Sequence, residues 1–313
     1  MELIRGLHNL RPRHHGCVAT IGAFDGVHKG HQAVLAKVLA KAKELGVPST
    51  VIVFEPLPRE YFAPLQSPAR LMNFREKFMA LRLLGVDRVL RIRFNEKFSH
   101  MSADDFIRKV FIDGLGVRAI IAGDDMRFGR DRGGDTNVLN DAGKRYGFEV
   151  LNTDTMAEQG ERVSSTRVRE ALALSDFALV QQLLGRPFGI SGKVVVGQQL
   201  GRTLGSPTAN IALRRLRAPL SGVYAVQVTG LAHTDSLHAV ANIGTRPTVD
   251  DSIKAILEVH ILDFNADIYG KTINVIFRHK IRDEKKFASL DELKTNIHAD
   301  IETARHFFLS REL

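Results

Sequence analysis

The sequence predicts an α/β domain built on a parallel sheet, followed by a small antiparallel β-barrel with a closing helix. Three patterns carry that expectation. Short apolar runs alternate with amphipathic helical stretches up to residue 185. After Gly185-Arg186-Pro187 the chain changes to β-rich segments separated by polar or Gly/Pro turns. A single capped helical stripe closes it. Two domains are therefore expected, residues 1–185 and 186–313, which suits a chain of 313 residues at roughly 150 per domain.

In the first domain residues 17–21, 50–54, 89–94, 119–122 and 148–151 read as buried strands. Between the first two, Val34, Leu35, Val38, Leu39, Ala42 and Leu45 fall on one helical stripe, stopped by Gly46 and Pro48. Ser102 with Asp105 resembles a capping box ahead of Phe106, Val110 and Phe111. Strands alternating with helices imply βαβ units, and such sheets bind ligands at the carboxyl ends of their strands. In the second domain residues 222–228, 238–243, 255–262 and 272–281 read as strands, and apolar and polar residues largely alternate through 254–263. Ser289-Leu290-Asp291-Glu292 opens the last helix, with Leu290, Leu293, Ile297, Ile301 and Phe308 as its apolar stripe.

Composition narrows the function classes. With 44% apolar and 25% charged residues, the chain is neither disordered nor fibrous. Forty-four Lys plus Arg against 35 Asp plus Glu gives a net charge of +9, which points to anionic partners. No run of five basic residues and no aromatic-interleaved basic patch occurs, which argues against nucleic acid. Cys17 is the single cysteine, so an intramolecular disulfide is excluded. No apolar stretch approaches the ~18 residues of a membrane span, and no signal-peptide core is present, so a cytoplasmic location is expected.

Two glycine-rich matches fail on context. Gly270-Lys271-Thr272 mimics the end of a P-loop, but Asn265 stands where the earlier glycine belongs. Gly114-Leu115-Gly116-Val117-Arg118-Ala119 has the letters of a dinucleotide fingerprint, yet it precedes a strand instead of following one. Both read as turns.

The informative run is Gly22-Ala23-Phe24-Asp25-Gly26-Val27-His28-Lys29-Gly30-His31, which joins the first strand to the long helix. His28 and His31 are three apart, so a helical start puts both on one face. Gly30 between them lets a phosphate approach the backbone, and the helix start adds N–H groups and a positive dipole end. Two imidazoles aimed there can stabilise charge on a phosphate in transfer. A metal site from this pair lacks a third ligand nearby; two surface histidines in a loop is the bland alternative.

This His-x-Gly-His signature resembles that of nucleotidyltransferases related to class I aminoacyl-tRNA synthetases. More narrowly, the run resembles the bacterial bifunctional riboflavin kinase/FAD synthetase family, and later motifs agree. Phe54-Glu55-Pro56-Leu57-Pro58-Arg59-Glu60 follows the second strand, and Gly123-Asp124-Asp125-Met126-Arg127-Phe128-Gly129 the fourth. Val163-Ser164-Ser165-Thr166-Arg167-Val168-Arg169 follows the fifth. The resemblance implies a Rossmann-like nucleotidyltransferase domain in which Gly22, Phe24, Asp25 and Gly30 hold ATP. There FMN phosphate attacks the α-phosphorus and pyrophosphate leaves. Asp124 and Asp125 read as acceptors for ribose hydroxyls or flavin, or as an acidic turn. Ser164, Ser165 and Thr166 offer hydroxyls and N–H groups at a helix start, and Arg167 and Arg169 can fork onto phosphate. Leu57 departs from the family, which usually has His between the two prolines; leucine cannot donate to a ligand. Met126, usually aromatic, still packs on a planar ring.

Gly201-Arg202-Thr203-Leu204-Gly205-Ser206-Pro207-Thr208-Ala209-Asn210 is the second constellation. On an extended strand Thr208 and Asn210 face the same side, and their neutral oxygens suit Mg²⁺ shared with nucleotide phosphates. Gly201 and Gly205 allow a loop to fold over those phosphates. The whole run, with Gly205 and Pro207 expected at the nucleotide, resembles the riboflavin kinase motif. The same resemblance makes Glu258, in Leu257-Glu258-Val259-His260, the base that takes the proton of the riboflavin 5′-hydroxyl. It also places Asn242-Ile243-Gly244-Thr245-Arg246-Pro247-Thr248 near the flavin.

The expectation is an enzyme that makes FMN from riboflavin and ATP in its riboflavin kinase-like barrel, and FAD from FMN and ATP in its first domain. Its partners are then ATP, riboflavin and FMN, with Mg²⁺ as cofactor. Two rivals remain at this point: an adenylyltransferase for another small phosphate, and a flavin-sensing protein without turnover. The retained His28, His31, Asn210 and Glu258 argue against the second.

Overall fold

The computed structural model describes residues 1–123, 126–197, 206–231, 236–247 and 253–310, with the backbone alone at 245–247 and 253–254. Its residues group into two compact units, Met1–Ser67 with Lys77–Ser164, and Pro68–Glu76 with Ser165–Leu313.

The first unit is built on a parallel sheet. Its strands are β1 (Glu2–Arg5), β2 (Cys17–Ile21), β3 (Ser49–Glu55), β4 (Arg88–Arg93), β5 (Val117–Gly123) and β6 (Glu149–Thr153), in the order β1-β4-β3-β2-β5-β6. All five residues of β2 are buried, which is why this central strand reads as a largely apolar run broken only by Thr20. The helix Lys29–Leu45 follows, burying Leu35, Val38 and Ala42 and ending at Gly46 in the left-handed region. Val38 and Ala42 pack with Val18, Ala119 and Ile121 of the sheet. Ser102 caps the next expected helix by accepting from the Asp105 N–H. That helix, Ala103–Phe106, continues as a π-helix over Ile107–Ile112. Strand β1 lies outside the sequence expectation. It is four residues long, charged at both ends, and pairs in parallel with the edge of β4. Gly116 (φ 50°) and Gly270 (φ 78°) are turns leading into strands.

The second unit holds a closed antiparallel barrel. Completing the strand set after the short hairpin β7 (Ala157–Glu158) and β8 (Glu161–Arg162) of the first unit are β9 (Gly189–Val195), β10 (Ala209–Ala212), β11 (Gly222–Thr229), β12 (Leu237–Pro247), β13 (Ile253–Ile261) and β14 (Thr272–Arg282). The closed order is β10-β13-β12-β11-β14-β9. Strand β9 was not expected, and β10 only as the extended stretch read around Thr208 and Asn210. Gly192 sits inside β9 because a Cβ there would strike the Ile211 side chain and come within 2.8 Å of the Ala212 carbonyl. Close strand approach, not a turn, explains that glycine.

The last helix, Leu290–Leu309, is capped by Ser289, whose oxygen accepts from the Glu292 N–H at 3.1 Å. The Glu292 carboxylate reaches back to the Ala288 N–H. The expected stripe holds at Phe308, which is buried, and at Leu293, Ile297 and Ile301, which are half-buried. Leu290, however, is exposed, and Asp300 and Ala304 are buried beside that stripe. Asp300 is held by a bidentate Arg282, at 2.9 and 2.8 Å, which satisfies a carboxylate under the helix. Ala304 and Phe308 pack on Val223, Ala225 and Val240 of the barrel.

Residues 68–76 belong to the second unit through Glu76. Its carboxylate takes the Arg215 guanidinium at 2.5 Å and accepts from the Asn73 and Ser191 N–H groups. Arg215 also donates to the carbonyls of Arg70 and Leu71.

Candidate active sites

In the parallel sheet, β2 is flanked by β3 on one side and β5 on the other. The chain progresses outward from it in both directions, so its carboxyl end is the topological switch point at which such sheets take ligands. The segment after β2 carries backbone conformations rare for its residue types. Phe24 has φ 47°, Gly26 φ 85° and Val27 φ 43°. For a β-branched residue a positive φ is a costly state, retained where the surroundings enforce it. Phe24, Asp25, Val27 and His28 are buried here.

His28 is the N-cap of the helix Lys29–Leu45, its ring Nδ1 accepting from the His31 N–H at 3.3 Å. An accepting Nδ1 fixes the proton of a neutral His28 on Nε2. The His31 ring stacks on His28 with centroids 3.7 Å apart and planes 19° off parallel, and Phe24 lies 5.0 Å away on its other contact. The Nδ1 of His31 is buried without a hydrogen-bond partner. Burial first, then the positive fields of His28 and Lys77, hold the His31 imidazole well below its usual range. His31 is therefore neutral at pH 7. Gly30 makes the stack possible: a Cβ there would come within 3.2 Å of the His28 ring and 3.3 Å of the Val163 carbonyl. Val163 thus lies against the helix start, with Ser164 next in the chain. Lys29 is bridged to Glu158 at 3.0 Å.

Gly22 directly follows β2, and its N–H donates to the Ile52 carbonyl of β3. Ser165, Thr166 and Arg167 form the first turn of the helix Ser165–Ala173, which falls in the second unit. Asp124 and Asp125 lie outside the described residues, as does Gly205. Leu57 precedes the short helix Pro58–Phe62, and its N–H donates to the Glu60 carboxylate.

In the barrel, strand register decides the second site. Asn210 of β10 stands directly opposite Glu258 of β13, and Glu258 stands directly opposite Asn242 of β12. Leu257 and Val259, on either side of Glu258, are buried inside the barrel. Glu258, Asn210 and Asn242 therefore share its outer face, side by side, half-buried. Val240, on the same face, lies under the last helix. Thr208 precedes β10 by one residue, and the carbonyl of exposed Pro207 accepts from His260 Nδ1 at 2.9 Å.

Three features escaped the sequence reading. Lys77, completely buried, acts on His31 from the helix Phe74–Leu83; a lysine within a helix carries no local sign of burial. Gly197 lies against Asn210, whose amide would clash with any Cβ there. Tyr61, Phe62 and Phe94 form an aromatic group with ring centroids 5.3–5.6 Å apart after β3 and β4, and Phe62 is 66% exposed. An aromatic triplet gathered from two segments leaves no local signal.

Among the described residues no group of three or more His, Cys, Asp or Glu is placed to hold a metal by itself, and no helix is long and apolar enough to cross a membrane. The fold and the two sites define a two-domain transferase of phosphorus-containing groups. A family model described as FAD synthetase matches residues 10–167, and one described as riboflavin kinase matches residues 184–308. A bifunctional riboflavin kinase/FMN adenylyltransferase of Pseudomonas fluorescens is 54% identical over 97% of both chains. The Escherichia coli K12 protein of that name is 51% identical over 98% of both. A crystal structure titled as a macrolide-efflux protein from Streptococcus pneumoniae superposes with a TM-score of 0.76 at 32% identity, covering 97% of this chain and 99% of that one. The chain belongs to the bifunctional riboflavin kinase/FMN adenylyltransferase family.

Proposed function

We propose that the chain carries out two ATP-dependent steps in sequence, phosphorylation of riboflavin to FMN and adenylylation of FMN to FAD. Functionally we divide it into residues 1–185 for adenylylation and 186–313 for the kinase, in accord with family matches that end at 167 and begin at 184.

In the adenylyltransferase an FMN phosphate oxygen attacks the α-phosphorus of ATP; a new P–O bond forms and pyrophosphate leaves. His28 and His31 sit at the positive end of a helix, where anions are favoured. A neutral His31 costs little to keep buried beside the helix start. Charge on the leaving pyrophosphate then meets imidazoles already in place, with no reorganisation during reaction. Within the first unit Gly22, Phe24, Asp25, Gly30 and Ser164 are assigned to the nucleotide; Ser165, Thr166 and Arg167 are assigned to its phosphates from the family motif alone. The exposed Phe62 ring, held edge-on by Tyr61 and Phe94, offers one planar face for the flavin ring.

In the kinase Glu258 accepts the 5′-hydroxyl proton of riboflavin as that oxygen takes the γ-phosphoryl group, and ADP leaves. Asn210 beside it, with Thr208 two residues back, presents neutral oxygens to the nucleotide side. Oxygen donors with one adjacent carboxylate fit Mg²⁺, which keeps several ligand positions for water and phosphate. Mg²⁺ held by Thr208 and Asn210 would supply charge neutralisation to the nucleotide phosphates. Both reactions are assigned to the cytoplasm, where their shared substrate ATP is available; buried Cys17, its thiol pushed up to about 11 by burial, plays no part in them.

The observation that carries this reading is the opposition of Asn210 and Glu258 on one barrel face, in a chain whose other unit stacks His28 on His31 at a helix start. Incubation with riboflavin and Mg·ATP tests it. ADP and pyrophosphate should both be released; release of neither would leave a flavin-binding protein, and pyrophosphate release only with a different phosphate acceptor would favour another adenylyltransferase.

A further inference from the structure

Strand β13 carries, two residues beyond Glu258, a second polar side chain on the same outer face. His260 alternates in phase with Glu258, between buried Val259 and Ile261, and its register partner is Val240. Its Nδ1 lies 2.9 Å from the carbonyl oxygen of Pro207. A carbonyl oxygen can only accept, so Nδ1 carries the proton of this bond. That proton is present in the imidazolium and in one neutral tautomer, and the bond therefore needs no charge.

Pro207 lacks an N–H and cannot join the strand ladder as a donor. Its carbonyl is fixed instead by a side chain from the neighbouring strand, one residue before Thr208 and three before Asn210. The ladder itself takes over at Ala209, opposite Val259. Thr208 is thus held between a side-chain bond on one side and strand pairing on the other. Both holds come from β13, which also bears Glu258.

We infer that His260 is a positioning residue of the kinase, tying the Pro207–Thr208 backbone to the strand that carries the base and so fixing the nucleotide-side oxygens relative to it. This rests on the reading of Thr208, Asn210 and Glu258 given above. Losing the tie should loosen the nucleotide side while leaving the flavin side nearly intact.

The test compares substitutions at one position in the full chain. Asn carries an amide nitrogen where His has Nδ1, whereas Asp has the same shape and, ionised, no donor. His260→Asp and His260→Ala should raise KM for Mg·ATP in riboflavin phosphorylation about tenfold, the worth of one such hydrogen bond. KM for riboflavin and the pH profile should stay near wild type. His260→Asn should restore KM for Mg·ATP to within about threefold. An unchanged KM for riboflavin, together with a wild-type denaturant midpoint of the barrel, reports that each variant is folded. An unchanged KM for Mg·ATP in His260→Ala, or a His260→Asn as impaired as His260→Asp, overturns the inference. Thr208→Ala and Asn210→Ala in the same series separate the two levels. If they raise KM for Mg·ATP and the His260 variants do not, only the tie is wrong. If they do not, the nucleotide-side reading falls, and the route through Thr208 with it.

Discussion

Asn210 and Glu258 are opposed residues of one antiparallel strand pair, 48 positions apart in the chain and side by side on the barrel's outer face. The pair juxtaposes a neutral oxygen donor with a carboxylate at a separation set by backbone hydrogen bonds, about 4.5–5.5 Å between Cβ atoms. Nothing flexible intervenes.

Gly197 guards that geometry from the adjoining end of β9. A methyl group there would occupy the place of the Asn210 amide. Gly197→Ala should therefore displace Asn210 and lower riboflavin phosphorylation at least tenfold, with FAD formation from FMN unchanged. Steady-state rates of the two reactions on one preparation check this.

The two imidazoles at the first helix start should act together. Replacing both His28 and His31 by Ala is expected to slow FAD formation by ~10²–10³, the usual cost of losing preorganised charge stabilisation. FMN formation should be unaffected. Quenched-flow or steady-state pyrophosphate release reads the loss.

The depressed His31 fixes a pH dependence. In the unfolded chain His31 titrates near its usual 6.5, and in the folded chain burial, His28 and Lys77 hold it well below. The folded state binds fewer protons in between, so this contribution to stability is complete above about 6.5 and is lost as pH falls from there toward the folded value. Denaturant midpoints of wild type and His31→Gln should converge differently across that window, with the variant flatter. Histidine NMR should show the His31 pKa rising when pyrophosphate binds, and rising in Lys77→Met without it.

Glu76 and Arg215 form a buried ion pair, with side chains 7% and 0% exposed. Removing one partner of such a pair leaves a buried charge uncompensated, at a cost of about 3–5 kcal/mol. Glu76 lies within the residues matched by the FAD synthetase model, yet its other oxygen accepts from Ser191 of the barrel. Glu76→Ala should accordingly accelerate hydrogen exchange at the Ser191 amide and destabilise the barrel unit.

Much of this was legible in the sequence. The four inner strands of the sheet announced themselves because both faces are covered, which leaves largely apolar runs such as Cys-Val-Ala-Thr-Ile in β2; β6, expected as buried, is an edge strand and partly exposed. Four barrel strands and the Ser289 cap were legible through alternation and capping chemistry. Strand β9 was not, because its glycines serve close strand packing, and local reading takes glycine as punctuation. The His-x-Gly-His run fixed one site locally. The second site joins residues from three strands, and only register shows that Asn210, Glu258 and Asn242 meet. The role of 68–76 depends on the Glu76 carboxylate and on the Arg70 and Leu71 carbonyls that meet Arg215, for which sequence offers no pattern.

The claim that two chemistries run on separate residues of one chain is tested most directly by Glu258→Gln, followed by chromatography of riboflavin, FMN and FAD. The substitution keeps volume and hydrogen bonding but removes the group that accepts a proton. With riboflavin and Mg·ATP, FMN formation should fall by ~10²–10⁴, the worth of a positioned base. With supplied FMN and Mg·ATP, FAD should form at the wild-type rate. Normal riboflavin phosphorylation by the variant would contradict the assignment of the base, and loss of both activities in a folded protein would contradict their separation.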